Sequence, residues 1–131
     1  ALAEGVILLS ANIRLKKDDE REVAKRVSGF LREKTEKQPI SKFSAGCVFK
    51  NPPLAYAGRL IDESGCKGMR RGDVEVSSLH ANFFVNTGDG RARDFRELMD
   101  RVADRVKKLF GLQLEPEIRM ILRKTGYESE R

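Results

Sequence analysis

Apolar side chains recur along this chain at two different periods, and the switch between them marks out the elements. From Phe95 the sequence spaces Leu98, Met99, Val102, Val106, Leu109 and Phe110 three or four positions apart, with charged residues between them. One face of a helix is then apolar and the other solvated, and Gly111 follows where a left-handed cap ends a helix. Asp19 and Glu22 make an Asp-x-x-Glu start for a second helix running to about Glu36, with Val23, Val27, Phe30 and Leu31 on one face. A shorter helix spans 56–64 and stops at Gly65. Period two governs the rest. Residues 6–15 begin as an apolar run and then alternate through Ala11, Ile13 and Leu15, which predicts a strand. Strands are also expected over 74–77, 82–86 and 114–122. Residues 38–53 read as loop with a short extended piece at 47–49, and the tail after Arg123 is polar and frayed. The layout is α+β, a small mixed sheet with helices packed on it and no internal repeats. Three parts are expected: a strand and helix over 1–37, a central domain over 38–113, and a final strand with its tail over 114–131.

A length of 131 residues with 40% hydrophobic content supports one domain with a modest core. No apolar run is long enough to span a membrane. The stretch 6–9 is too short for a signal peptide, and acidic Glu4 precedes it. Cys47 and Cys66 lie apart without metal spacing and read as free thiols in a reducing cytoplasm. One histidine and no Cys-x-x-Cys argue against a structural metal site. The net charge of +6 implies an anionic partner. Nucleic acid is disfavoured, because acids and bases alternate along the helices and aromatics make up only 7%. A nucleotide-sugar diphosphate would use the same positive field with fewer residues.

The densest chemistry lies in Ser44-Ala45-Gly46-Cys47-Val48-Phe49-Lys50-Asn51-Pro52-Pro53. Gly46 permits close approach of backbone to a ligand, and the prolines stop any helix from running on. Lys50 offers charge to a phosphate, Asn51 a donor and an acceptor, and Cys47 an acidic proton. The plain alternative is an ordinary turn with a small buried thiol. Further along come Ala57-Gly58-Arg59-Leu60-Ile61-Asp62-Glu63-Ser64-Gly65-Cys66-Lys67-Gly68, then Val76-Ser77-Ser78-Leu79-His80-Ala81-Asn82-Phe83-Phe84-Val85-Asn86, and last Leu114-Glu115-Pro116-Glu117-Ile118-Arg119.

In that order and spacing the four blocks resemble the C-terminal part of the UDP-N-acetylenolpyruvoylglucosamine reductase family, also called UDP-N-acetylmuramate dehydrogenase. These are flavoproteins of bacterial peptidoglycan precursor synthesis. The likeness runs from about Val6 to Met120. It implies a reductase in which NADPH reduces FAD and the flavin passes hydride to an enolpyruvyl group. The position of Cys47 is usually a serine in the family, where it resembles the donor of the proton to the neighbouring carbon. A thiol can fill that role, being mostly protonated at neutral pH and more acidic than an alcohol. Glu117 matches the carboxylate that assists beside the donor. His80 matches a polar position near the substrate diphosphate. Lys50 and Asn51 are the stronger candidates for that diphosphate, with Lys37 and Gln38 opening the same loop, while Cys66, Lys67 and Gly68 read as structural.

On a strand Glu115, Glu117 and Arg119 would share a face, with Leu114, Pro116, Ile118 and Met120 on the other. Glu117 and Arg119 are then expected to constrain each other or to face a ligand. Nothing in the chain resembles the family's FAD-binding half, and its upstream tyrosine-arginine motif is absent, so the chain reads as a C-terminal fragment with the FAD site mostly outside it. The short connection from Leu15 to Asp19 resembles the branch lacking an extra substrate-covering loop. The rival readings are a non-catalytic nucleotide-sugar or anion-binding module and a basic nucleic-acid-binding domain.

Overall fold

In a computed structural model, residues 6–121 can be described. Their elements are α1 (Glu20–Lys37), β1 (Phe43–Cys47), α2 (Ala57–Glu63), β2 (Arg70–Arg71), β3 (Val74–Val76), β4 (Phe83–Asn86) and α3 (Ala92–Phe110). The strands form one sheet in the order β1-β4-β3-β2. The class is α+β as expected, but every pairing is antiparallel, where a mixed sheet was expected. The connections from β2 to β3 and from β3 to β4 are too short to carry the crossover that parallel neighbours need.

Alternation along β3 sends Val74 and Val76 into the core and Glu75 to the other face, where its carboxylate accepts a hydrogen bond from Arg70 Nε at 2.7 Å. On the core side α3 inserts Leu98, Met99, Val102 and Val106, and α2 adds Ala57, Leu60 and Ile61. The ring of Phe84 stands edge-on to Phe49 at 6.2 Å between centroids and tilted against Phe95 at 5.4 Å. The period-3.6 stripe foreseen for α3 is therefore its buried face, and the helix ends at Gly111 with φ 68.

Two expected strands do not form as such. Residues 6–15 have no regular structure and are exposed throughout, because their backbone meets no neighbouring strand among the described residues. Of the strand expected over 114–122, one bridge remains, Phe49 to Pro116. It is flanked by bonds from Lys50 N–H to the Glu115 carbonyl and from Glu117 N–H to the Val48 carbonyl, both 2.8 Å. Proline has no N–H to extend a ladder. Leu114 is buried and Ile118 half-buried against the core, whereas Pro116 and Met120 are exposed. β1 starts at Phe43, earlier than the extended piece expected at 47–49, and the two-residue β2 was not foreseen. Leu122 and the tail after Arg123 lie outside the described residues.

Asp19 caps α1 as expected, its Oδ1 accepting the N–H groups of Arg21 and Glu22 at 3.0 and 3.1 Å. Yet α1 buries no side chain, and Phe30 on its apolar face is 68% exposed.

Candidate functional site

β1 delivers the site. Its register with β4 shifts between Ser44 and Cys47, and Gly46 adopts φ 81, a conformation that a residue with a Cβ rarely takes. Beyond this bulge the chain stays extended, so alternate side chains point the same way. Cys47, Phe49 and Asn51 all line one cavity of about 420 Å3. Lys50 points elsewhere. Its Nζ lies 3.3 Å from Glu115, beside a separate depression formed with Pro52, Pro53 and Gln113.

The second wall comes from α2 and the turn after it. Tyr56, Arg59 and Asp62 face the cavity from the helix, and Lys67 reaches it from the turn. Lys67 Nζ is held 2.6 Å from Asp62, and Arg59 Nε donates to Glu63 at 2.7 Å. Asn51 ties the two walls together, since its Oδ1 accepts the Ala57 N–H at 2.9 Å at the start of α2. That leaves its NH2 group free to donate to a ligand.

The turn before β4 supplies His80 and Asn82. The Asn82 N–H donates to His80 Nδ1 at 3.3 Å, so the neutral ring carries its proton on Nε2. Burial holds the His80 pKa below the usual value, and the nearby Lys67 charge acts in the same direction. The ring stacks edge-on to Phe83 at 4.8 Å. A methyl group at Gly58 would approach His80 Cε1 to 3.2 Å, so glycine on α2 leaves the ring its space.

Glu117 closes the cavity from the final segment, placed by its own N–H on the Val48 carbonyl. Burial pushes the Cys47 thiol up, the Glu117 carboxylate pushes it further, and the Asn82 side chain opposes both. A thiol so placed stays protonated at neutral pH and can act as an acid.

Residues 38–121, well over half the chain, match the family described as "UDP-N-acetylenolpyruvoylglucosamine reductase, C-terminal domain". The chain belongs to this family. The UDP-N-acetylenolpyruvoylglucosamine reductase of Alkaliphilus oremlandii is 42% identical over 118 residues, which cover 90% of this chain and 39% of that protein. A second such reductase, from Symbiobacterium thermophilum, is 54% identical over 83 residues, covering 63% and 27% of the two chains. The crystal structure of the enzyme from Thermus caldophilus superposes with a TM-score of 0.63 at 43% identity, covering 79% of this chain and 37% of that one. The chain spans about two fifths of the length of the curated relatives it matches, such as 39% for the Alkaliphilus reductase.

Of the residues singled out for the reductase chemistry, Cys47, Glu117, Asn51 and His80 meet in one cavity. Lys50, Lys37 and Gln38 do not line it. Lys37 pairs with Glu33 at 2.6 Å on the last turn of α1, and Gln38 caps that helix through its backbone N–H on the Lys34 carbonyl. Glu117 and Arg119 do not constrain each other, because Arg119 lines a different depression with Arg93 and Arg96. The cations of the cavity are Arg59 and Lys67. Lys67 had read as a helix end, and only the turn at Gly68, which the sequence does show, hints that its side chain could fold back.

Proposed function

We propose that this chain is the substrate-binding, proton-donating part of an FAD-dependent, NADPH-using reductase. The reaction converts UDP-N-acetylglucosamine enolpyruvate to UDP-N-acetylmuramate in the cytoplasm, for peptidoglycan synthesis. One observation carries this reading: Cys47 and Glu117, far apart in sequence, line the same cavity. The chain spans about two fifths of the length of the curated relatives it matches, and in this reading FAD is held by the portion of those proteins that it does not cover. When bound there it supplies the hydride. The exposed apolar residues of 6–15 and of α1 suit contact with that portion, among them Ile7, Leu9, Phe30 and Leu31. No helix of the described residues is long and apolar enough to cross a membrane.

Within this chain the work divides as follows. Cys47 gives its proton to the substrate carbon beside the carboxylate as hydride arrives at the neighbouring carbon. Glu117 raises the thiol pKa, keeping the acid loaded, and steadies the enolic form of the substrate. The Asn51 NH2 and His80 Nε2–H are neutral donors for the diphosphate, while Lys67 and Arg59 supply the positive charge first sought at Lys50. The family match and the shared cavity favour this reading over a non-catalytic anion-binding module or a nucleic-acid-binding domain.

Calorimetry with the UDP-sugar on the full-length protein tests the placement. Lys67→Ala should weaken binding about tenfold or more, as expected for a charged hydrogen bond, and added salt should narrow the gap. Lys50→Ala should leave affinity within about twofold, a difference well under 1 kcal/mol. The reverse order would return the anion site to Lys50 and remove it from this cavity.

A further inference from the structure

The bulge at Gly46 breaks the β1–β4 ladder where the chain passes through Cys47 into buried Val48 and Phe49. Past Cys47, opposite Phe83, no further ladder pair forms, yet the peptide groups of Phe49 need partners on this side. The side chain of Asn82 provides them. Its Oδ1 accepts the Phe49 N–H at 3.0 Å and its Nδ2 donates to the Phe49 carbonyl at 2.8 Å, as a facing strand would. Its backbone carbonyl accepts the Val48 N–H at 2.8 Å, and its N–H holds His80. Asn82 is only 3% exposed, but it forms part of the cavity wall with Cys47 and Glu117.

The geometry points to Asn82 as a positioning residue: its carboxamide replaces the interrupted strand at Phe49 and so fixes the backbone that carries Cys47 into the cavity, while its backbone N–H on His80 Nδ1 sets Nε2–H toward the ligand. This rests on reading Cys47 as the proton donor. One residue, through its side chain and its backbone, then coordinates the acid and a binding donor, which are brought together from β1 and from the turn before β4. The second hydrogen of Nδ2 is not used by Phe49, and the side chain acts on the thiol against the effects of burial and Glu117. The other charged or titratable groups on the cavity wall are His80, Tyr56, Arg59, Asp62 and Lys67.

Two readouts test the proposal in the full-length protein. The first is the pH midpoint for alkylation of Cys47 by iodoacetamide; Cys66, at 0% exposure, does not compete. Asn82→Asp places a second carboxylate beside the thiol and should move the midpoint upward. Asn82→Ser, which lacks the amide, should raise it as well, and it decides the matter if the aspartate variant does not fold. The second readout follows flavin absorbance. Asn82→Ser should slow oxidation of the reduced flavin by the enolpyruvyl substrate about tenfold or more, part of the ~10²-fold effect of a general acid. Reduction of the flavin by NADPH should stay within about twofold. An unmoved midpoint, or equal slowing of both half-reactions, would assign Asn82 to packing alone and overturn the proposal. If instead Cys47→Ala leaves the flavin oxidation rate intact, the donor reading fails, while the alkylation midpoint still judges whether Asn82 governs position 47.

Discussion

Replacing Cys47 with alanine should leave reduction of the flavin by NADPH intact and nearly abolish its oxidation by the enolpyruvyl substrate. The first half-reaction needs no proton at the substrate, and the second does. Loss of a general acid is expected to cost on the order of 10²-fold or more. Cys47→Ser keeps a transferable proton at the same reach and should retain appreciable turnover. The pH profile separates the two active forms. Burial and Glu117 hold the thiol above its ordinary value, so with Cys47 the rate should be flat through neutral pH. It should then fall only as pH rises past that value and the proton is lost, and serine should abolish this alkaline fall, because an alcohol does not ionise in the range. Stopped-flow traces of both half-reactions against pH are the measurement. Equal slowing of both by Cys47→Ala would make Cys47 a packing residue.

The largest stability effect is expected at Phe84. It is 1% exposed and joins Phe49, on the cavity wall, to Phe95 on α3. Phe84→Ala removes both aromatic contacts and leaves a cavity, at a cost of about 3–5 kcal/mol against a typical total of about 5–15. Phe43→Ala is the control. That ring is 84% exposed, so the change should stay within about 0.5 kcal/mol. Urea titrations of both variants should show a much lower midpoint for Phe84→Ala alone. Similar midpoints would mean that the described core does not carry the stability of this domain.

What the sequence made legible follows the strength of each local signal. α3 announces itself through seven apolar positions at helical spacing and a terminal glycine, and the Asp19 cap of α1 is equally local. β2 is two arginines, with no period to read. β1 consists of Phe43, Ser44, Ala45, Gly46 and Cys47, small residues after one exposed ring, so its pairing is set by β4 rather than by its own pattern. Residues 6–15 show the converse, because alternation was present but a strand needs a partner edge. In the site, whole motifs single out Cys47 and Glu117, which the fold brings to one cavity. Lys50 does not line that cavity, because three steps along an extended chain from Cys47 reverse the side. Lys67 joins the cavity only through the fold-back of the turn after α2, of which the adjacent Gly68 is the one local sign.

The lone bridge between Phe49 and Pro116 has a consequence for the order of assembly. Closing so long a span is entropically slow compared with forming the hairpin of β3 and β4 or the turns of α3. As the chain leaves the ribosome, β1, β4 and the Asn82 clamp can pair first, with Cys47 already oriented. Glu117 arrives only when the residues after Gly111 have emerged and docked. The strand that carries Cys47 is thus built early and its carboxylate neighbour later, so in this order of assembly the thiol is oriented before the Glu117 charge joins burial in raising its pKa.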